Sequence, residues 1–224
     1  MNVQFTGPTF SVVGSADDKD ATNGPGKSYG PENKASDSVV DGLTQATSTC
    51  ASATKLTVEA IAQTTKNSHG SAYANAKCEA RCTLVVAYSF FDYVELIFGR
   101  RQEVDIQVVV KVQASVNDGP CGSSFSLFMT SPTGGSTPVP SWTGTYSCAQ
   151  HPGDATKIDV TRANGVVETV ANGGTVTDWA DPPAGGTLPI DPGTYNLVYE
   201  LNGVATADGN VTLRVEAELF IVPA

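Results

Sequence analysis

Apolar and polar residues alternate with a period of two along most of the chain. In 74–86, Ala74, Ala76, Cys78, Ala80, Cys82, Leu84 and Val86 share one parity, while Asn75, Lys77, Glu79, Arg81 and Thr83 share the other. The same pattern runs through Val104, Ile106, Val108, Val110, Val112, Ala114 and Val116, and again from Val211 to Ile221. Successive strand side chains point to opposite faces, so each segment predicts a strand with one buried and one wet face. Their sum predicts an all-β fold, an antiparallel β-sandwich or barrel. Residues 48–62 alternate too, although their alanines leave a helical reading open.

Between these segments the punctuation predicts connections. Residues 1–13 are short apolar stretches broken by Gly7-Pro8 and read as an edge strand or arm. Residues 14–40, rich in Gly, Pro, Asp and Lys, read as a long loop without a core of its own. The almost wholly apolar run from Leu84 to Phe98 reads as a central strand buried on both faces or a strand passing between sheets. Asn164-Gly165 between β-like runs predicts a hairpin. A second hairpin is expected where the strand from Tyr195 to Leu201 turns through 204–209 into the strand at 211–222. No repeat of fixed period and no linker divides the chain, so its 224 residues predict one domain, 1–224.

Five cysteines extend the argument. Cys121 and Cys148 lie symmetrically about Gly134-Gly135, and that register sets Phe125, Leu127, Trp142 and Tyr146 on the cysteine face, with Leu127 opposite Trp142. A Cys121–Cys148 disulfide is the expectation. Cys50, Cys78 and Cys82 occupy inward parities on the two sides of TTKNSHG, and the mirror position favours Cys50–Cys82 over Cys50–Cys78. Two disulfides would imply an oxidising compartment. The other reading is that all five are buried free thiols.

The C-terminal run Leu188-Pro189-Ile190-Asp191-Pro192-Gly193-Thr194-Tyr195-Asn196-Leu197, with the alternating strand ending Phe220-Ile221-Val222-Pro223, resembles the end of bacterial secreted β-sandwich proteins of the PEP-CTERM, exosortase-sorted type. The Ala/Ser-rich strands 51–54 and 71–76 have the same character. The resemblance implies export, a jelly-roll-like sandwich and association with surface polysaccharide, without a catalytic site. The sorting tail of that family is not in this sequence.

Composition narrows the partners. The formal net charge is −10, with 13 basic against 23 acidic residues. A basic footprint for phosphate backbones is missing, so no nucleic-acid partner is expected. No apolar run reaches the ~20 residues of a spanning helix, so no membrane insertion is expected.

Candidate chemistry is sparse. The two histidines, His69 and His151, sit beside Gly or Pro in expected loops, no Gly-x-Ser-x-Gly elbow is present, and no enzyme is expected. A zinc site from Cys78 and Cys82 with Cys50 or His69 would need ligands at strand spacing and a missing second pair. Asp17, Asp18 and Asp20 precede Gly24 as hard oxygen donors do in calcium loops, though a solvated acidic loop explains them as well. Asp178 and Asp181 flank Trp179, an arrangement suited to a sugar, with an indole to stack and carboxylates for hydroxyls. The alternative is that Trp179 caps the core and the aspartates form turns. Tyr29 is either a loop anchor or a second stacking platform. The expected function is a non-catalytic extracellular cell-surface or matrix structural or adhesion protein. The alternatives are a carbohydrate-binding module using Trp179, Asp178 and Asp181, and a filament or virion assembly subunit.

Overall fold

The computed structural model describes residues 1–17, 27–29, 35–41, 44–63, 72–130, 141–180 and 187–224, with backbone alone for Asp17, 27–29 and 35–41. Two antiparallel sheets face each other, as the alternation requires. The first is ordered β11 (Val167–Ala171), β10 (Lys157–Thr161), β9 (Ser141–Gln150), β8 (Cys121–Thr130), β14 (Gly193–Ala207), β6 (Ala72–Ala87), β1 (Asn2–Asp17), β2 (Lys27–Tyr29). The second is ordered β12 (Thr175–Ala180), β7 (Glu103–Asn117), β15 (Asn210–Pro223), β5 (Lys55–Gln63), β4 (Thr44–Cys50), β3 (Ala35–Asp41), and β13 (Thr187–Pro189) also pairs with β7.

Every inward parity read from the sequence is buried: Ala74 to Val86 on β6, Val104 to Val116 on β7, and Val211 to Ile221 on β15. The small residues of β6 make room for large ones beside them. Ala80, for example, is the register partner of Tyr199, which is fully buried. Residues 48–62 are strand, turn and strand, so the helical alternative falls away.

Residues 1–13, expected as an edge strand or arm, begin the sixteen-residue strand β1. It pairs with β6 along its length and, among the described residues, meets β2 only at Phe10–Val12, so the edge-strand reading holds. Three other connections differ from expectation. Gly7, at φ 58, takes up a bulge between Thr6 and Thr9 without ending the pairing to β6. Within the expected loop 14–40, residues 14–17 continue β1, and β2 and the start of β3 form further strands. The run 84–98 is not one buried strand: β6 stops at Ala87, and Phe90–Ile97 form a helix, α1. Ser89 caps it, its hydroxyl accepting from the Asp92 amide while the Asp92 carboxylate accepts from the Ser89 amide.

The expected last hairpin is an arch. β14 pairs with β6 and β8 in one sheet, whereas β15 pairs with β5 and β7 in the other. Both strands carry a full apolar face, and they turn those faces toward each other across the core. β7 and β8 are joined by a parallel arch at the same end. The two turns are linked there, with the Asp208 amide donating to the Asp118 carbonyl at 3.1 Å and the Thr206 amide to the Pro120 carbonyl at 3.0 Å. Gly119, at φ 148, permits this contact: a Cβ there would lie 2.1 Å from the Thr206 carbonyl oxygen.

All five cysteines are buried free thiols, which corrects both expected disulfides. Cys121 and Cys148 are register partners, as the symmetric spacing predicts, and Leu127 opposes Trp142, yet no bond joins the two sulfurs. The Cys50–Cys82 pairing fails for a topological reason. β5 and β6 belong to opposite sheets, so no mirror register relates them. Cys50 Sγ approaches the Glu79 carbonyl at 3.7 Å, and Cys78 Sγ approaches the Thr49 and Thr57 carbonyls at 3.8 Å, so it is Cys78 that meets Cys50 between the sheets. Cys82 lies four residues further along β6, about 13 Å away at strand rise, which also removes the zinc arrangement. With the thiols free, the cysteines lend no support to export.

Candidate functional site

Trp179 lies outside the core. On the edge strand β12, Val176, Asp178 and Ala180 point inward, and the opposite parity turns Trp179 outward with 62% of its surface exposed. The core-capping alternative is thereby overturned. Trp142, by contrast, is buried on β9, its ring edge-on to Phe125 at 4.8 Å and 86°.

Because β12 closes one flank of the second sheet, Asp178 meets side chains that come from the first. Tyr146 on β9 donates its phenol to Asp178 Oδ2 at 3.0 Å, and Arg162, just after β10, reaches Oδ1 at 3.5 Å. Arg162 also binds Glu168 on β11. The Asn164-Gly165 turn predicted from sequence sets Arg162 in place: Gly165 adopts φ 82, its amide donates to the Arg162 carbonyl, and Asn164 Oδ1 accepts from the Val166 amide. Burial, followed by the Asp178 carboxylate, raises the Tyr146 phenol far above its ordinary value, so it remains a proton donor. The bond to Glu168 raises the Arg162 guanidinium, keeping it charged. Its Nε is buried without a partner among the described residues.

Beside this network lies a cleft of about 350 Å³, lined by Trp142, Thr143, Asn164, Asp178 and Trp179 with Ala163 and Ala180. Its volume is in the range of small-ligand sites. An exposed indole, a side-chain amide and a hydroxyl line it, and the Asp178 carboxylate among them is tied to the other sheet through Arg162. This suits binding. The carboxylate is held by Tyr146 and Arg162, and no histidine is among the described residues that line the cleft.

Of the other expected site residues, Asp181 lies outside the described residues. The backbone of Tyr29 is on β2, at the edge of the first sheet farthest from β9–β11, so it is not brought to Trp179. The candidate calcium ligands Asp18 and Asp20 lie outside the described residues, and Asp17 ends β1 with its backbone paired to Tyr73. Among the described residues no cluster of three or more His, Cys, Asp or Glu side chains is placed to hold a metal ion. His69 lies outside the described residues. His151 Nδ1 is 2.8 Å from Asp159 Oδ1, which also accepts from the Thr169 hydroxyl at 2.6 Å, a contact that ties β10 to β11.

Sequence reasoning missed Tyr146 and Arg162, because nothing local marks them. It also missed α1, whose signal was present: Ser89-Phe90-Phe91-Asp92 is a capping-box spacing. No family model matches the chain, and neither a curated protein nor a solved structure matches it.

Proposed function

We propose that the chain is a non-catalytic extracellular adhesion or matrix domain that binds polysaccharide at the Trp179 cleft. The observation that carries this reading is the exposed Trp179 indole beside a cleft whose floor is fixed by Asp178, Tyr146 and Arg162. A pyranose ring offers an apolar C–H face that stacks on indole, and hydroxyls at its rim that suit Asn164 and Thr143. Fixing the strand before the ligand arrives limits the ordering cost of binding. The extracellular setting rests on the likeness of the C-terminal run to exported sandwich proteins.

The test is a glycan array followed by calorimetric titration of the neutral oligosaccharides that bind. Trp179→Ala is expected to weaken binding at least about tenfold, as loss of a central aromatic anchor does. Failure of the unaltered protein to bind any glycan, or equal affinity in the variant, overturns the reading.

A further inference from the structure

α1 presents its apolar side to solvent. Phe90, Phe91, Val94, Ile97 and Phe98 follow the i, i+1, i+4, i+7, i+8 spacing of a single helical face, which a globular domain normally turns to its core. Here Phe90, Phe91, Ile97 and Phe98 are 76%, 77%, 81% and 79% exposed, and no residue of the helix is buried. The opposite side, with Asp92 and Leu96, faces the sandwich. The helix is held in this pose by the Ser89–Asp92 capping box and by Tyr88, whose hydroxyl donates to the Ile190 carbonyl and whose ring stands edge-on to Tyr93. The face is therefore fixed in place.

We infer that this face is the interface of a two-fold dimer with a second copy of the chain. The four most exposed side chains present on the order of 600 Å² per copy, at the upper end of what a monomer leaves open. Two copies face to face cover about 1,200 Å², where specific interfaces begin. Charge favours the same occupant. Exposed Glu95 flanks the apolar face and exposed Arg100 follows the C-terminal end of the helix, so antiparallel packing about a two-fold axis brings Glu95 of each copy toward Arg100 of the other. A lipid surface fits less well. Interfacial helices carry lysine and arginine on their polar side, whereas this one carries carboxylates on a chain of net charge −10.

Sedimentation equilibrium of the full chain over a micromolar concentration series tests the inference. The unaltered protein is expected at twice the mass of one chain. Phe91→Glu with Phe98→Glu should weaken association by at least about a hundredfold. Since both rings are exposed, the variant should keep the circular dichroism and melting temperature of an equally dilute, dissociated control. Phosphatidylcholine vesicles in a flotation assay provide the second arm. A monomeric unaltered chain overturns the inference, whether or not it floats with the vesicles. A doubly substituted variant that still dimerises overturns it too.

Discussion

Asp178 and Trp179, adjacent on β12, have opposite environments: the carboxylate is 6% exposed beneath Tyr146 and Arg162, and the indole is 62% exposed above them. Removing each should therefore act on different properties. Trp179→Ala is expected to change stability by no more than about 0.5 kcal/mol. Asp178→Ala strands the buried Tyr146 hydroxyl and takes one partner from Arg162, which keeps Glu168, and should cost about 2 kcal/mol. Urea unfolding of the two variants checks the contrast. Equal losses would show that the indole packs as a core residue does.

Gly144 is the register partner of Phe125, and the phenyl ring lies over it. A Cβ at 144 would stand 2.3 Å from Phe125 Cε1. Gly144→Ala must displace that ring from its edge contact with Trp142, at an expected cost of about 1–3 kcal/mol. Near-ultraviolet circular dichroism should report the altered Trp142 environment. Adding Phe125→Leu should recover part of the loss, and no recovery would mean the strain lies in the backbone.

Tyr199 is fully buried on β14, and its hydroxyl has no partner among the described residues. Tyr199→Phe keeps the ring and removes the stranded polar atom, so it is expected to stabilise the fold by about 1 kcal/mol. A higher urea midpoint at unchanged slope is the expected observation. A drop of similar size would reveal a hydrogen bond that this hydroxyl makes in solution.

The free thiols give a chemical and a pH signature. Burial pushes the Cys82 thiol up to about 11, and burial together with the Cys50 thiol raises Cys78 as well. Groups raised in the folded state contribute stability that is whole below their unfolded value, 9.0 for a thiol, and is lost as pH rises through about 11. Stability should thus be flat near neutrality and fall in alkali. At pH near 8, a chromogenic disulfide reagent should label the native protein slowly and all five cysteines once it is denatured. Recovery of fewer than five thiols without prior reduction would contradict the free-thiol assignment.

Much of this fold was legible because a strand's two faces are written directly as sequence parity. The buried faces of β6, β7 and β15 were readable residue by residue, and so was the Cys121–Cys148 register, since a hairpin is symmetric about its turn. The candidate site was half legible: Trp179 and Asp178 were readable as neighbours, but not which of them faced the cleft mouth. An acid turned inward and an indole turned outward reverse the usual preference. That reversal is sustained by Tyr146 and Arg162, which arrive from other strands.

The sequence by itself determined where strands form, which side of each is apolar, and where the Asn164-Gly165 turn falls, because all three depend on neighbours in the chain. Tertiary structure decided which sheet each strand joins. β14 and β15 have the same alternation whether they pair edge to edge or stack face to face, and the stacked arch prevails because it buries both apolar faces at once while β6, β8, β5 and β7 satisfy the backbone of each strand. It also decided that the aromatic run after Ala87 becomes a helix. Among the described residues, β1 and β14 pair with β6 no further than Ala87 and Val86, and a capped helix satisfies internally the amides that follow.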